Sequence, residues 1–89
     1  MMEVAFTKTF SKQIDNIRDN LLKSKLAQVV RDVMKAKALQ DIANLKKLKG
    51  HLTAYRIRIG DYRVGLFIEE GVVTFAYLAH RKDIYSRFP

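Results

Sequence analysis

The sequence predicts an α+β fold, in which an N-terminal strand and a helical hairpin pack on a mainly antiparallel sheet and a short helix ends the chain. Two observations support this. Apolar residues recur at helical spacing in the first half, whereas apolar and polar residues alternate in the second half, where Gly60-Asp61 and Glu70-Gly71 mark two tight turns. With 89 residues, 48% of them apolar and 29% charged, the chain has the composition of one globular domain, residues 1–89.

The N-terminal half predicts a strand followed by two helices. Residues 2–6 alternate weakly and suit a short strand, after which Thr7 or Thr9 can cap a helix. Asp19-Asn20 marks the break between the helices, and the second helix is expected to end near residues 36–38. Two sets of apolar residues at helical spacing are expected to face the core: Phe10, Ile14, Ile17 and Leu21, then Leu22, Leu26, Val29, Val30 and Val33.

The C-terminal half predicts a connector and then a three-stranded meander. Residues 39–54 read as a connector that contains a basic run, Lys46-Lys47-Leu48-Lys49-Gly50. Three strands follow, the last two over residues 62–69 and 72–79, and a helical tail covers residues 80–87. Strands joined by two-residue turns must be antiparallel, so the sheet is expected to be largely antiparallel.

The first of the two turns fixes the register of the first hairpin. It pairs Arg58 with Arg63 and Arg56 with Gly65, so three arginines share one face of the sheet. Like charges directly opposite each other destabilise a sheet, so folding alone gives no reason for this arrangement. We therefore expect an anionic group to bind there, because guanidinium groups match phosphate and carboxylate in geometry.

The second turn determines the register of the third strand in the same way. A two-residue turn would pair Gly65 with Ala76, leaving a shallow depression, and would present Phe67 as a ring on which a base can stack. Tyr77 and Ala79 would then face the core. The face away from the helices is expected to carry nine residues: Arg56, Arg58, Arg63, Gly65, Phe67, Thr74, Ala76, Leu78 and His80. A cationic, partly aromatic surface of this kind favours single-stranded RNA over duplex DNA, because no exposed helix can enter a major groove.

The net charge of +8 favours acidic partners such as nucleic acid, an acidic protein or a membrane surface. Lys46, Lys47 and Lys49 are candidate RNA contacts within this charge. The absence of cysteine excludes disulfide and thiolate chemistry and fits a reducing cytoplasm. His51 and His80 match no familiar metal-ligand spacing, and no apolar run approaches the ~20 residues that span a bilayer. We therefore expect no metal, no small-molecule cofactor and no membrane partner.

Three segments carry a resemblance to a known family: Leu48-Lys49-Gly50, Tyr55-Arg56-Ile57-Arg58-Ile59-Gly60-Asp61-Tyr62-Arg63-Val64 and His80-Arg81-Lys82-Asp83-Ile84-Tyr85. They are similar to the RelE group of the RelE/ParE toxin superfamily, and the resemblance extends over essentially the whole chain. Its most specific part is the C-terminal His-Arg-x-x-x-Tyr element, followed by the arginine-rich hairpin.

The resemblance implies a small cytoplasmic endoribonuclease that cuts mRNA, in many members within the ribosomal A site, and that is neutralised by a co-expressed antitoxin. By position, Arg56 and Arg58 match basic residues, often lysines, that line the scissile phosphate. Arg63 matches an arginine that contacts the same phosphate. Arg81 and Tyr85 match a catalytic arginine and a catalytic tyrosine. Arginine in place of lysine at positions 56 and 58 keeps the charge but changes the geometry.

The chemistry that these residues suit is attack of a ribose 2′-hydroxyl on the adjacent phosphate, which requires neither a metal nor a protein nucleophile. The arginines would orient the strand and neutralise the developing charge. Tyr85, surrounded by arginines, is a candidate general base, although from the residues alone packing of its ring against the sheet would be favoured. His80 is a candidate acid or base because histidine titrates near neutral pH, and a purely structural role is the alternative.

Two other function classes stay open at this point. The first is a ParE-like toxin, which shares the fold but binds DNA gyrase, and whose members generally lack the His-Arg-x-x-x-Tyr ending. The second is a catalytically inactive relative whose arginines only hold RNA or antitoxin. The C-terminal element favours the nuclease over the ParE-like toxin, and the inactive relative stays open.

Overall fold

The structure, a computed structural model that describes residues 2–89, is built around a five-stranded sheet. Its elements in chain order are β1 (Glu3–Phe6), α1 (Lys8–Asp15), α2 (Asn20–Lys35), a 3-10 turn (Leu39–Asp41), β2 (Leu45–Lys47), β3 (Ala54–Ile59), β4 (Tyr62–Glu69), β5 (Val72–His80) and α3 (Ile84–Arg87). The strands lie in the order β1-β5-β4-β3-β2, with β1 parallel to β5 and the other neighbours antiparallel. The predicted α+β class with a mainly antiparallel sheet is confirmed.

Two polar side chains fasten α1 to β5. Thr7, the first of the two candidate caps, accepts a hydrogen bond from the Phe10 amide at 3.1 Å and donates its hydroxyl to the Ala76 carbonyl at 2.9 Å. The Gln13 side chain donates to the Leu78 carbonyl and accepts from the Leu78 amide, each at 2.8 Å. These bonds satisfy backbone groups at the edge of β5 beyond the point where β1 ends. Two side chains there replace the hydrogen bonds that a neighbouring strand would make.

The break between α1 and α2 lies where the sequence predicts it. The Asp19 carboxylate accepts a hydrogen bond from the Leu21 amide at 3.0 Å and caps α2. The expectation that Leu21 belongs to the core stripe of the first helix is wrong, because α1 already ends at Asp15. Leu21 lies in the first turn of α2 and is 65% exposed.

The connector over residues 39–54 contains a strand that the sequence does not predict. β2 is three residues long and pairs with β3 at the edge of the sheet, with Lys46 opposite Arg56. A run with two lysines has no apolar alternation of its own, so this strand depends on its pairing with β3. Lysine is well suited to such an edge, because its charge discourages pairing with further strands.

The register of β3 with β4 is as predicted, whereas that of β4 with β5 is not. A bulge opposite Gly65 and Leu66 leaves Ala76 as the extra residue, so Gly65 pairs with Tyr77 rather than with Ala76. The expected pairing of Arg63 with Leu78 is likewise wrong, since Arg63 pairs with Ala79. Because side chains alternate along a strand, every residue of β5 after the bulge lies on the opposite face from its predicted one.

The sheet therefore separates two apolar clusters. The main core lies between the sheet and the helices α1 and α2, and its buried members include Phe10, Leu26, Val33, Val64 and Phe75. Leu78 belongs to this core, contrary to its predicted place on the open face. A smaller cluster lies on the other face and consists of Leu48, Ala54, Ala76, Ile84 and Phe88, with Phe67, Tyr77 and Ala79 packed against it.

The predicted terminal helix over residues 80–87 is shorter than expected. β5 continues through His80, and α3 covers only Ile84–Arg87. Within residues 2–89, none of the helices combines the length and apolar content needed to cross a bilayer.

Candidate active site

The hairpin of β3 and β4 gathers three arginines on the face of the sheet away from α1 and α2, which we call the arginine face. Arg58 lies directly opposite Arg63, and Arg56 lies two residues from Arg58 on the same side of β3. The turn that fixes this register has Gly60 at its first central position with a φ of 59°, a conformation that glycine adopts without strain. Side chains paired in this way stand within about 5 Å of one another at Cβ.

Arg63 is held in place by the turn that precedes it. Its Nη1 donates to the carbonyls of Gly60 and Tyr62, both at 2.9 Å. Burial lowers the pKa of the Arg63 guanidinium below its usual value, and the charges of Arg56 and Arg58 lower it further. No carboxylate in residues 2–89 is among the groups that shift this pKa. Positive charge is therefore concentrated here, and among the groups that shift the pKa of Arg63 only one, a phenol, raises it.

That phenol and a fourth arginine arrive from the C-terminal end of the chain. Tyr85 raises the pKa of Arg63, against the lowering by burial, Arg56 and Arg58, and Arg81 lowers it slightly. The Arg81 amide donates to the Asp61 carbonyl at 2.8 Å, which ties the segment after β5 to the hairpin turn. The Tyr85 side chain is 64% exposed. The fold thus brings residues 56–63 and 81–85 to one place.

Arg56 has unused hydrogen-bonding capacity. Its Nη1 donates to the Asn44 carbonyl at 3.4 Å, whereas its Nε is buried without a hydrogen-bond partner in the described chain. Lys46 lies opposite Arg56 on β2, so the positive charge extends toward the edge of the sheet. A buried donor without a partner is costly, and an anionic oxygen bound beside Arg56 would satisfy it.

Of the three lysines proposed to contact RNA, the structure brings one to the arginines. Lys46 shares their face, whereas Lys47 pairs with Tyr55 and lies on the opposite face. Lys49 lies beyond β2 and is exposed to solvent.

The structure places His80 away from the arginines. His80 pairs with Tyr62, their rings meet edge to face at 5.7 Å, and the His80 Nδ1 accepts a hydrogen bond from the Lys82 amide at 3.2 Å. Tyr62 packs against the main core, so the expectation that His80 shares the face of the arginines is wrong. The cause is the bulge at Ala76, which reverses the facing of every residue after it.

The predicted depression at Gly65 is occupied by the C-terminal segment. The ring of Phe88 lies directly over Gly65, where an added Cβ would come within 2.5 Å of it. Phe88 also packs against Phe67, with ring centroids 5.0 Å apart. Phe67 is half-buried and one side of its ring is already covered, so it is less available to stack with a base than the sequence suggests.

Sequence reasoning missed Phe88 and Tyr77 as neighbours of the site. A signal for Phe88 existed, because Gly65 interrupts a strand and an interior glycine often marks a close approach of another group. Tyr77 gave no such signal, since its place on the arginine face depends on the bulge.

Comparisons with known proteins agree with this fold. The family model described as "ParE toxin of type II toxin-antitoxin system, parDE" matches residues 4–85. The toxin RelE3 of Methanocaldococcus jannaschii is 34% identical over 89 residues, covering 99% of this chain and 100% of that protein.

Two solved structures show the same architecture. A RelB-RelE antitoxin-toxin complex from Methanococcus jannaschii matches with a TM-score of 0.76 and 30% identity, over 96% of this chain and 99% of that one. The YoeB dimer from Staphylococcus aureus has a TM-score of 0.72 at 17% identity, over 90% and 97% of the two chains, and shows the fold alone.

The chain therefore belongs to the RelE/ParE family of toxins from type II toxin-antitoxin systems, in which its full-length relative is a RelE toxin. The resemblance drawn from the hairpin and the C-terminal element is confirmed.

Proposed function

We propose that this RelE-like toxin is a metal-independent endoribonuclease that cleaves mRNA, with the ribosome presenting the substrate in its A site. The observation that carries the proposal is that Arg56, Arg58 and Arg63 share one face of the hairpin, while the segment that holds Arg81 and Tyr85 is bonded to the hairpin turn and both residues influence the pKa of Arg63. Four guanidinium groups around one point form a binding place for a phosphodiester, and the phenol among them supplies a group able to move a proton.

The proposed reaction uses the nucleophile that RNA itself carries. The 2′-oxygen forms a bond to phosphorus, the bond from phosphorus to the 5′-oxygen of the next nucleotide breaks, and a 2′,3′-cyclic phosphate and a 5′-hydroxyl result. Tyr85 in its deprotonated form takes the proton from the 2′-hydroxyl. Arginine stays protonated at neutral pH, so the four guanidinium groups supply charge and hydrogen bonds to the phosphate, and the departing 5′-oxygen takes its proton from water.

The arginines have separate tasks within this proposal. Arg63, fixed by two bonds to the hairpin turn, would bind a non-bridging phosphate oxygen. Arg56 and Arg58 would bind the same phosphate from β3. Arg81, whose backbone amide donates to the Asp61 carbonyl, would stabilise negative charge on the departing oxygen. A direct part for His80 in proton transfer would require a substrate that reaches past the edge of the sheet, because the histidine ring packs on Tyr62.

Lysines near β2 would hold the flanking RNA. Lys46 continues the positive surface from Arg56, and Lys49 lies exposed in the loop that follows. Lys47 would contact ribosomal RNA from the other face. Such contacts to phosphates supply affinity without reading the base sequence.

A cognate antitoxin is the second proposed partner. The RelE protein of the Methanococcus jannaschii complex is bound to the antitoxin RelB, and it is 30% identical to this chain. The uncompensated charge around Arg63 gives a physical reason for such a partner here, because acidic side chains on the arginine face would relieve the repulsion.

The test is to follow RNA during induced expression and in a purified translation system. We expect mRNA to be cut within codons occupied by ribosomes, with cyclic phosphate at the new 3′ ends. Without the ribosome we expect only slow cleavage of free RNA, and its rate should not change when divalent ions are chelated. Intact mRNA in cells that stop translating would contradict the proposal.

A gyrase-directed activity is the alternative that one observation favours, because the matching family model bears the ParE name. Such a toxin would trigger DNA-damage signalling while mRNA stays intact. Harmless expression would instead indicate an inactive relative that only binds RNA or antitoxin.

A further inference from the structure

The C-terminal segment, residues 81–89, carries two side chains of the candidate site, and one of them, Tyr85, lies on a very short helix. α3 has four residues, and Asp83 before it makes no side-chain capping bond. A helix of this length is not stable by itself in water, because its nucleation costs more free energy than a few hydrogen bonds contribute. Contacts outside the helix must therefore fix the position of Tyr85.

Two buried apolar residues flank Tyr85 in the sequence. Ile84 is 0% exposed and Phe88 is 4% exposed, and the Phe88 amide donates to the Ile84 carbonyl at 2.8 Å. Tyr85 itself lies mostly in solvent and contributes little to its own anchoring. Its location is consequently set by the side chains before and after it.

The place where Phe88 binds is defined by Gly65. A Cβ on Gly65 would lie 2.5 Å from Cγ and Cδ2 of the Phe88 ring, far closer than two carbon atoms can pack. The backbone of Gly65 is not in the left-handed region, so glycine is needed here for space and not for conformation. An interior glycine weakens a strand by roughly 0.5–1 kcal/mol relative to alanine, so strand stability alone does not favour it.

Gly65 also links this contact to the phosphate-binding arginines. It lies two residues after Arg63 on the same side of β4 and directly opposite Arg56 on β3. The ring of Phe88 is thus held on the strand that carries Arg63, about 7 Å further along it. Tyr85 interacts electrostatically with Arg63 from the segment that this ring anchors.

We propose that Phe88 is a positioning residue, whose ring, fitted onto Gly65, sets where Tyr85 stands relative to Arg63. The catalytic consequence rests on the proposed nuclease function, whereas the geometric one does not. Displacing a catalytic group by about 1 Å can cost about 100-fold in rate. Arg56, Arg58 and Arg63 belong to the sheet and keep their places without the ring, so RNA binding should survive its removal.

The first test compares Phe88→Ala and Phe88→Leu with the wild-type toxin and with Met34→Ala, a change at a half-exposed residue of α2 remote from the site. We expect Phe88→Ala to lower the single-turnover cleavage rate about 100-fold. Affinity for an RNA that lacks the 2′-hydroxyl at the cut site should change less than about 3-fold, and Phe88→Leu should recover part of the rate. An unchanged rate, or an affinity that falls as much as the rate, would overturn the proposal.

The second test removes the same contact from the opposite side. Gly65→Ala displaces the ring while leaving residues 81–89 unaltered, so it should lower the rate by a similar factor. The double variant with Phe88→Ala should be no slower than the slower single variant, because both changes abolish one interaction. Losses that multiply would show that the two residues act independently. Urea unfolding of each variant ensures that the assays are run on folded protein.

A third measurement separates this inference from the proposed function. Ring signals of Tyr85 in a ¹³C-labelled protein report its surroundings whether or not the protein cuts RNA. In Phe88→Ala and in Gly65→Ala they should move toward the positions of free tyrosine, whereas in Met34→Ala they should stay. Unchanged Tyr85 signals in both site variants would refute the positioning role. If the wild-type toxin leaves RNA intact, the nuclease proposal fails, and these signals still decide whether Phe88 places Tyr85.

Discussion

Arg58 on β3 and Arg63 on β4 lie directly opposite each other, so the two strands that build the site meet where their charges repel. Burial lowers the pKa of Arg63, and Arg56 and Arg58 lower it further. A pKa that is lower in the folded than in the unfolded chain means that the protonated group destabilises the fold at every pH below the folded value, including neutral pH. The site therefore contains an unfavourable interaction that a bound anion would relieve.

Inorganic phosphate should stabilise the protein more than chloride does at equal ionic strength, because it can neutralise the charge around Arg63. Relief of about 1 kcal/mol would raise Tm by roughly 4–8 °C for a domain of this size. Thermal unfolding in the two salts measures the difference, and Arg63→Gln should reduce the part that is specific to phosphate. Identical unfolding curves in both salts would show that the site binds no phosphate.

Arg58→Ala should have opposite effects on stability and activity. Removing one of two opposed charges should raise the free energy of unfolding by about 0.2–1 kcal/mol, as measured in urea. Cleavage should fall at every site in a panel of mRNAs, since a phosphate contact carries no base information. The matched control is Arg31→Ala on α2, where Arg31 bonds only to Gln28 among the described residues, at 2.9 Å. Altered cut-site preference in Arg58→Ala would place this arginine against a base instead.

Tyr85→Phe should lower the cleavage rate by about 10²–10⁴-fold, the usual contribution of a general base, while leaving the urea unfolding curve unchanged because the side chain is exposed. Tyr55→Phe removes a phenolic hydroxyl from the opposite face and serves as the control. Arg81→Ala should likewise abolish toxicity with the fold intact by circular dichroism. Cells killed as efficiently by both site variants as by the wild-type toxin would disprove the assignment of Tyr85 and Arg81.

Lys46→Ala and Lys47→Ala form a pair that differs only in facing. Lys46 shares the arginine face and Lys47 does not, so the first change should weaken binding of single-stranded RNA more than the second. Loss of one phosphate contact should reduce the slope of log affinity against log salt by about 0.7. Titrations at several salt concentrations give both slopes. Equal slopes for the two variants would mean that the facing of these lysines is irrelevant to RNA binding.

Gln13→Ala should lower the free energy of unfolding more than the loss of other polar side chains on the surface of α1 and α2. It removes both bonds to the Leu78 backbone and leaves an amide and a carbonyl of β5 without partners. Such groups cost about 1–3 kcal/mol in free energy of unfolding, which urea denaturation can measure. Gln28→Ala, whose side chain bonds only on the surface of α2, should cost far less. A small effect at Gln13 would indicate that water replaces the amide.

The arginine face could be predicted because the hairpin that forms it is local. A two-residue turn at Gly60 leaves one way to count the pairs on either side, so the register followed from the sequence alone. β2 could not be predicted, because a three-residue strand with two lysines owes its structure to β3. The parallel pairing of β1 with β5 is likewise a contact between distant parts of the chain.

The errors on β5 have one physical origin. Phe75, Ala76 and Tyr77 are all apolar, so alternation gives no indication of which residue is extra. The prediction contained no bulge and counted pairs in simple alternation from the turn, so it put His80 on the wrong face, and this is how a histidine came to be expected beside the arginines. The filling of the depression over Gly65 depends on how the last residues fold back, which no local pattern in the sequence determines.

The extra residue at Ala76 gives β5 one point at which its length can change while the facing of its other side chains stays the same. Deleting Ala76 would remove the bulge and leave Gly65 paired with Tyr77 and Val64 with Leu78, so Leu78 would stay in the main core and Tyr77 on the arginine face. A single-codon deletion of Ala76 should therefore damage the fold less than a deletion of Thr74, which would take Val73 or Phe75 out of the main core. Relatives could lose this residue and still present the same side chains on the arginine face.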